Sequence, residues 1–263
     1  MKIYHYTCLE ALVNILAKDR ISLRATRYDS MNDPLDFKFA KDIIIPKLRI
    51  AIQNLNLTDD EVEYIEQYPY IVSFSKIDDD FNMWRMYKGE VALEFDVDVI
   101  CDSISNNMHL AECKYVDETD IDNIFIEVFN QLAQSNKILC DAQDLIAQFK
   151  RKEYINEKEI RLYNFSYALC RTYYTGKNDC EFIECETSDL KVDVKCIRNK
   201  DLVLYQEFNL PKEAVTGITL FIHDKEHFNS VMEHLKIILN ERGYNKQVID
   251  NIKQTQTTNF NHL

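Results

Sequence analysis

Glycine is scarce in this sequence, and its distribution excludes two common nucleotide-binding motifs. The 263 residues contain only four widely separated glycines, Gly89, Gly176, Gly217 and Gly243. The P-loop and the dinucleotide-binding fingerprint both need closely spaced glycines, because the backbone must approach phosphate oxygens. A nucleotide bound by this chain would therefore contact side chains and the backbone at strand edges.

Closely spaced cysteines and long apolar runs are also missing. The nearest two of the eight cysteines are Cys180 and Cys185, so there is neither a C-x-x-C redox pair nor a set of paired zinc knuckles. No apolar run is long enough to cross a bilayer, and Met1 is not followed by the pattern of a signal peptide. We therefore expect a cytoplasmic protein with free thiols and no membrane contact.

Positive charge is in deficit. The 44 acidic residues outnumber the 31 basic ones, which gives a formal net charge of −13. This excess repels nucleic-acid phosphates and disfavours non-specific binding to DNA or to anionic membranes. A nucleic-acid-processing enzyme is therefore a disfavoured alternative, and the sequence also lacks a dense carboxylate cluster for its metal ions.

Apolar and aromatic residues are abundant enough for one large core. Hydrophobic residues make up 46% of the chain, with 15 tyrosines and 14 phenylalanines. Strand patterns occur without strict strand–helix alternation, which favours an α+β fold with an antiparallel-dominated sheet. We predict one α+β domain over residues 1–253, with helical insertions at about 35–67 and 118–152, a C-terminal helix, and a disordered tail over 254–263.

Apolar periodicity and capping signals predict the individual elements. Strands are predicted at Lys2–Tyr6, Ile21–Ala25, Tyr70–Ser75, Glu90–Phe95, Leu110–Val116, Glu159–Phe165, Lys191–Ile197, Val203–Phe208 and Gly217–Phe221. Helices are predicted at Cys8–Ala17, Phe37–Leu55, Asp59–Gln67, Phe81–Tyr87, Ile121–Gln134, Ala142–Lys152 and from Asp224 to about Arg242.

Three segments carry residues suited to chemistry. Tyr4–Thr7 ends a predicted strand with a His-x-Thr sequence, and an amphipathic helix and a second strand follow it. Ser73 and Ser75 are two apart in a strand, as are Glu157 and Glu159, so each pair lies on one face. Taken singly, the histidine also fits a satisfied core residue, and each polar pair also fits a strand end that leaves the core at a solvated surface.

Together, the three segments resemble the active-site frame of ADP-ribosyltransferases. The His-x-Thr strand is similar to the opening of diphtheria-toxin-like and poly-ADP-ribose-polymerase-like enzymes, and E-x-E-I-x-L to the catalytic loop of clostridial-type enzymes. The resemblance implies a split sheet, NAD as the substrate and no metal. It assigns the contact with the nicotinamide ribose to Glu159 and orientation of the acceptor to Glu157.

The resemblance also implies a set of NAD-binding residues, His5, Tyr6, Thr7, Arg24, Arg27, Ser73, Ser75 and Tyr87. The expected contacts are the ribose hydroxyls for His5 and Thr7, support of Glu159 for Ser73, nicotinamide stacking for Tyr87 or Tyr6, and the pyrophosphate for Arg24 or Arg27. Tyr6 departs from those families, which usually carry glycine at this position.

The chain also resembles a widespread bacterial family of unknown function. That family's pattern runs Tyr-x-Tyr, Phe-Asn-Asp-Pro, Ser-Phe-Ser, Met-Trp-x-x-Tyr and Glu-x-Glu-Trp-Arg. The matching segments here are Met31–Pro34, Ser73–Ser75, Met83–Tyr87, Val91–Asp96 and Glu157–Arg161, with Met31 and Ile160 in place of aromatic residues. This resemblance implies a shared fold over nearly the whole chain and no established reaction.

The sequence therefore predicts an ADP-ribosyltransferase-like enzyme that cleaves NAD at the nicotinamide bond, acting as a toxin or phage-defence effector. The acceptor stays open between a protein side chain, a nucleic-acid base, a small molecule and water, and the oligomeric state stays open as well. The alternative is a non-catalytic module that binds a nucleotide or a protein partner. His223–His227 reads H-x-x-E-H, but Asp224 as a helix N-cap would leave His223 outside the helix, so we expect no zinc site.

Overall fold

The computed structural model describes residues 1–31, 69–87, 89–105, 108–117, 119–120, 147–165, 171–174, 180–183, 191–198 and 201–257, with four isolated positions between 39 and 46. The strands are β1 Lys2–Thr7, β2 Ile21–Arg27, β3 Pro69–Ser75, β4 Val91–Asp96, β5 Met108–Glu112, β6 Lys114–Val116, β7 Phe149–Arg151, β8 Glu159–Phe165, β9 Arg171–Tyr174, β10 Cys180–Ile183, β11 Lys191–Arg198, β12 Asp201–Leu210, β13 Val215–Leu220 and β14 Ile252–Gln254. The helices are α1 Leu9–Ile15, α2 Phe81–Tyr87, α3 Val97–Ser103, α4 Lys225–Glu241 and α5 Lys246–Asp250, with 3-10 turns at Tyr28–Ser30, Lys152–Glu157 and Lys212–Ala214.

Ten of these strands form one large sheet. Its main path is β11-β12-β2-β3-β1-β4-β13-β14, and β8 and then β5 extend it from the second edge of β3. Within this sheet only β13 and β14 pair in parallel. The described residues therefore form an α and β fold with a large, mostly antiparallel sheet, as predicted. No helix in this part of the chain has both the length and the apolar character needed to cross a membrane.

The sheet forks at β3. β8 pairs with one edge of β3 along its whole length, from Pro69 to Ser75. The opposite edge is shared by two strands, because β2 pairs at Tyr70 and Ile71 and β1 pairs at Ser75. β1 and β2 therefore diverge beside the centre of β3, and this place is called the fork below.

The two faces of β3 and β8 differ in chemistry because side chains alternate along a strand. On the core face, Val72 and Phe74 lie opposite Leu162 and Ile160 and belong to the main hydrophobic core. Each fully buried side chain of this kind stabilises the fold by about 1.5–3 kcal/mol. The polar face carries, in the same register, Ser73 and Ser75 from β3 with Arg161 and Glu159 from β8.

Two predicted elements near the fork differ from the structure. Phe149–Arg151, at the end of the predicted helix Ala142–Lys152, forms β7, because it pairs in parallel with β6. The predicted strand Leu110–Val116 is broken at Cys113, whose N–H donates to the Glu159 carbonyl at 3.0 Å. β5 therefore continues the large sheet, whereas β6 leaves it and forms a two-stranded ribbon with β7.

The predicted disordered tail begins too early. Gln254 ends β14, and Thr255–Thr257 donate hydrogen bonds to the Asp79 side chain and carbonyl. Backbone pairing with β13 and these bonds therefore hold residues 254–257 in place, and residues 258–263 lie outside the described residues. The predicted helices Phe37–Leu55, Asp59–Gln67 and Ile121–Gln134 lie outside the described residues, apart from the isolated positions.

Candidate functional site

The Glu159 carboxylate lies at the centre of the polar face. Its Oε1 accepts hydrogen bonds from Ser73 Oγ at 2.5 Å and from Arg161 Nε at 2.9 Å. Its Oε2 accepts from Lys150 Nζ at 2.6 Å and from Arg161 Nη2 at 3.4 Å. A carboxylate offers about four acceptor positions. All four are therefore occupied by groups of the protein itself.

Glu157 joins the same cluster through Lys150. Lys150 Nζ lies 2.5 Å from Glu157 Oε2, so one ammonium group bridges both glutamates. Lys158, between them, has a left-handed backbone with φ of 43°, which turns the chain from the 3-10 helix into β8. Ser75 Oγ donates to the Glu157 carbonyl at 2.7 Å and fixes this turn against β3.

Among the described residues, this cluster is a balanced set of buried charges. Lys150, Glu157, Glu159 and Arg161 are all at most 5% exposed, and they carry two positive and two negative charges. Burial raises the pKa of Glu159, but the positive charges of Arg161 and Lys150 outweigh it and lower that pKa to about 2. Glu159 is therefore ionised at neutral pH. Removing one member of a buried ion pair typically destabilises a fold by about 3–5 kcal/mol.

Two tyrosines lie beside the glutamates. Burial raises the pKa of Tyr87 well above its usual range, and the negative charges of Glu159 and Glu157 raise it further. The Tyr6 ring stacks on Tyr87, with 6.0 Å between centroids and 19° between planes. Tyr6 also packs edge-on against Trp84 and donates to the Ile77 carbonyl at 2.9 Å. The tyrosine that replaces the expected glycine therefore belongs to an aromatic cluster on the polar side of β1.

His5 lies on the opposite face. Its register partner on β4 is Leu93, and its ring packs on Phe74, both of which belong to the main core. His5 Nδ1 lies 3.0 Å from the Ser73 carbonyl oxygen, which can only accept, so Nδ1 carries the hydrogen. Burial lowers the pKa of His5, so the ring is neutral with Nε2 unprotonated.

His5 therefore supports Ser73 from the core side of the sheet, at the fork, where none of the described strands pairs with that carbonyl. Thr7 is two residues after His5 in β1, so its side chain is on the same, core-facing side of the strand. The Thr7 carbonyl accepts the Glu90 N–H at 2.9 Å. The expected grouping of His5 and Thr7 with Glu159 in front of one ribose differs from this arrangement. The reason is that side chains alternate between the two faces along β1, so Tyr4 and Tyr6 are the residues that face the same side as Glu159.

The two candidate pyrophosphate ligands lie on β2 and are three residues apart, so they point to opposite faces. Arg24 is exposed on the side opposite Leu23 and Ala25, which belong to the main core, and its guanidinium lies 5.0 Å from the Tyr205 ring centroid. Arg27 lies opposite Tyr70, a residue of the main core. Of the two, only Arg24 therefore shares the polar side of the sheet.

The structure thus brings one group of predicted residues together, namely Tyr6, Ser73, Ser75, Tyr87, Glu157 and Glu159. Sequence reasoning missed Lys150 and Tyr115. Tyr115 Oη accepts the Glu159 backbone N–H at 2.7 Å. One feature of the sequence could have pointed to these partners. Two acidic residues on one buried strand face need positively charged groups nearby. Lys150 stands in a basic run typical of a solvated helix end.

No group of three or more metal-ligating side chains is present in the part of the chain that the structure describes. Asp224 caps α4, because its Oδ1 accepts the His227 N–H at 2.6 Å. His223 therefore precedes the helix, as predicted, and does not share a helical face with His227.

Residues 83–162 match a family model described as a protein of unknown function, DUF2971. This range runs from Met83 in α2 to Leu162 in β8. It includes Tyr87 and both glutamates but neither β1 nor β3. The match supports the predicted relationship to a family of unknown function and carries no reaction with it. Comparisons with curated proteins and with solved structures give no match.

Proposed function

We propose that the polar face of the fork is the active site of a cytoplasmic ADP-ribosyltransferase-like enzyme that cleaves NAD and transfers ADP-ribose to an acceptor. The observation that carries the proposal is the 2.5 Å hydrogen bond from Ser73 Oγ to Glu159 Oε1 beside the fork. The resemblance to ADP-ribosyltransferases implies such support of a glutamate by a serine on a neighbouring strand. A role as a toxin or phage-defence effector belongs to the same proposal.

The proposed reaction breaks the bond between C1′ of the nicotinamide ribose and N1 of nicotinamide. Both electrons leave with the nitrogen, which gives neutral nicotinamide, and positive charge develops on the ribose. An acceptor nucleophile then bonds to C1′ and releases its proton. An ionised carboxylate close to the ribose stabilises this charge. Glu159 is ionised, and Glu157 lies next to it to orient the acceptor.

The neighbouring side chains fit supporting roles in this scheme. Tyr87 and Tyr6 offer aromatic surface beside the glutamates for the nicotinamide ring. Arg24 lies on the polar side of β2, where a guanidinium can bind pyrophosphate oxygens in a bidentate manner. His5 holds the Ser73 backbone, so it acts as a positioning residue.

One observation favours a second candidate, a non-catalytic module that binds a nucleotide or a protein partner. Glu159 already accepts hydrogen bonds from Ser73, Lys150 and Arg161. A glutamate in such a network also serves as a structural ion pair that never touches a substrate. The two candidates differ in turnover, which makes a kinetic test decisive.

The test measures nicotinamide release from labelled NAD in cell extract, which supplies acceptors. Glu159→Gln should lower the release by about two to three orders of magnitude. Ser73→Ala keeps every charge and should lower it by about tenfold or more, because a hydrogen bond to a charged group is lost. Glu157→Gln should lose transfer but keep slow hydrolysis of NAD.

Glu153→Gln is the matched control, because Glu153 is exposed and pairs with Arg151 at the surface. It should release nicotinamide like the wild type. Rates are compared per folded molecule, measured by thermal unfolding of each variant. Equal rates for wild type and folded Glu159→Gln would contradict the catalytic role. NAD binding without any release would support the second candidate.

A further inference from the structure

The ammonium group of Lys150 lies in a cation-binding position formed by two carboxylates and an aromatic ring. It lies 2.5 Å from Glu157 Oε2 and 2.6 Å from Glu159 Oε2, with both carboxylates buried. The Tyr154 ring centroid lies 5.1 Å from the same Nζ, within the range of a cation–π contact. Two carboxylates and an aromatic ring form the kind of site that recognises a monovalent organic cation.

The charges of the cluster define what the position accepts. With Lys150 in place, the two glutamates are balanced by Lys150 and Arg161. When the Lys150 ammonium leaves, Glu157, Glu159 and Arg161 together carry one net negative charge. A ligand with one positive charge restores the balance, whereas a neutral ligand leaves a buried charge uncompensated, which is costly.

We infer that Lys150 is an internal stand-in for the positive charge of the ligand, and that the site takes a ligand with a monovalent cationic group placed between Glu157 and Glu159. This inference rests on the proposed function, where that cation is the nicotinamidium ring of NAD and then the developing ribosyl cation. It explains why all four acceptor positions of Glu159 are filled without substrate. Substrate binding exchanges one cation for another and leaves the carboxylates paired throughout.

The element that carries Lys150 is suited to this exchange. In the part of the chain that the structure describes, β7 pairs with the three residues of β6 in a ribbon separate from the large sheet, and Arg161 of β8 donates to the Phe149 carbonyl at 3.4 Å. Short two-stranded ribbons are marginally stable alone. The exchange requires Lys150 to leave the two carboxylates, which involves none of the backbone pairs between β3 and β8.

The first experiment replaces the lysine by a free amine. Lys150→Ala keeps Cβ and removes the equivalent of propylammonium, so this ion is the probe, and 1-propanol is the neutral control of equal chain length. Propylammonium should raise the melting temperature, or the refolding yield, of Lys150→Ala and have little effect on the wild type. Lys152→Ala is the matched variant, because Lys152 is exposed and pairs with Asp117 on the surface. It should show no rescue by propylammonium.

The second experiment compares NAD with NADH, which differ in the charge of the nicotinamide ring. Calorimetry measures both affinities for the wild type, Lys150→Met and Lys152→Met. Lys150→Met should raise the preference for NAD over NADH by about tenfold, because the internal competitor is gone and the net negative charge remains. Lys152→Met should leave the preference at its wild-type value.

The outcomes separate the inference from the proposed function. Amine rescue together with the NAD preference supports both. Amine rescue without NAD binding to any variant keeps the cation site and overturns the NAD-cleaving function. Absence of rescue, or a NAD to NADH ratio that Lys150→Met leaves unchanged, overturns the inference, while nicotinamide release by the wild type would still support the enzyme. If Lys150→Ala folds in neither propylammonium nor 1-propanol, the inference is tested by the ratio of NAD affinity to NADH affinity that calorimetry gives for Lys150→Met.

Discussion

At the scale of single residues, the cluster around Glu159 combines features that usually belong to separate parts of a protein. The carboxylate is almost fully buried, as a core group is, yet it remains ionised, as a surface group is. Arg161, which is completely buried, donates to the Glu159 carboxylate at 2.9 Å and also to the Ala147 carbonyl at 2.9 Å. The stability and the chemistry of this site are therefore coupled through the same atoms.

Glu159→Gln should destabilise the protein by about 3–5 kcal/mol, because it leaves Lys150 and Arg161 with one negative partner fewer in a buried setting. Urea unfolding followed by circular dichroism measures the difference. Glu153→Gln removes the same charge at the surface and should change the free energy of unfolding by less than about 1 kcal/mol. Equal stability of the two variants would mean that the Glu159 network contributes little to folding.

The same carboxylate predicts how stability depends on pH. The pKa of Glu159 is about 2 in the folded protein and near 4.5 when the group is free. A lowered pKa stabilises the fold above pH 4.5, and this contribution is lost as pH falls through about 2. It amounts to roughly 3 kcal/mol. The stability curves of wild type and Glu159→Gln should therefore converge between pH 4.5 and 2, as measured by urea unfolding at several pH values. Parallel curves would argue against the lowered pKa.

At the scale of elements, helix α2 connects the aromatic cluster to the end of the chain. Asp79, just before α2, accepts the Trp84 indole N–H at 2.9 Å. The same side chain accepts hydrogen bonds from Thr255 Oγ1 and from the Gln256 N–H. The position of the helix that carries Tyr87 therefore depends on Thr255–Thr257, called the C-terminal strap below.

Trp84 is the only tryptophan, so its fluorescence reports on this strap. Truncation after Gln254 removes the donors of Thr255–Thr257 to Asp79, leaves the indole N–H of Trp84 as a donor, and should shift the Trp84 emission to longer wavelength. The free energy of unfolding should fall by about 1–3 kcal/mol, because the charged Asp79 carboxylate loses hydrogen bonds that it accepts. Truncation after Thr257 keeps the strap and should retain the wild-type emission. Identical spectra for the two truncations would mean that the strap does not hold α2.

The elements also show what the sequence can predict. The bounds of Phe81–Tyr87 and Glu159–Phe165 agree with the apolar pattern, because local periodicity determines which residues form them. The face on which His5 lies depends on the register between β1 and β4, which pairs residues far apart in the chain. Lys150 was missed for the same reason, since β7 exists only through its pairing with β6. Long-range pairing therefore set the part of the site that the sequence could not predict.

At the scale of the whole molecule, the site belongs to no short segment of the chain. The range that matches the family model, residues 83–162, contains β4, β5 and the first four residues of β8, but it lacks β1 and β13, which flank β4, and β3, which pairs with β8 opposite β5. β4 pairs with β1 and β13, and β8 pairs with β3. A fragment of residues 83–162 would therefore expose unpaired strand edges and most of its share of the core.

Such a fragment should lack a cooperative thermal transition, because strands without their neighbours cannot bury enough apolar surface. Circular dichroism and a melting curve test this, with residues 1–257 as the control that keeps all described pairings. A cooperative transition in the fragment would mean that the matched range is an independent domain.

The pairing of β2 with β12 also has a consequence for synthesis. Thr26 lies beside Tyr205, so about 180 residues are made between the two partners. At elongation rates of about 5–20 residues per second, this interval lasts roughly 10–35 s. For that time the growing chain on the ribosome presents one open edge of β2, with its backbone amides and carbonyls available to other strands. Slower translation over positions 27–204 should lengthen this exposure and increase aggregation of the newly made protein.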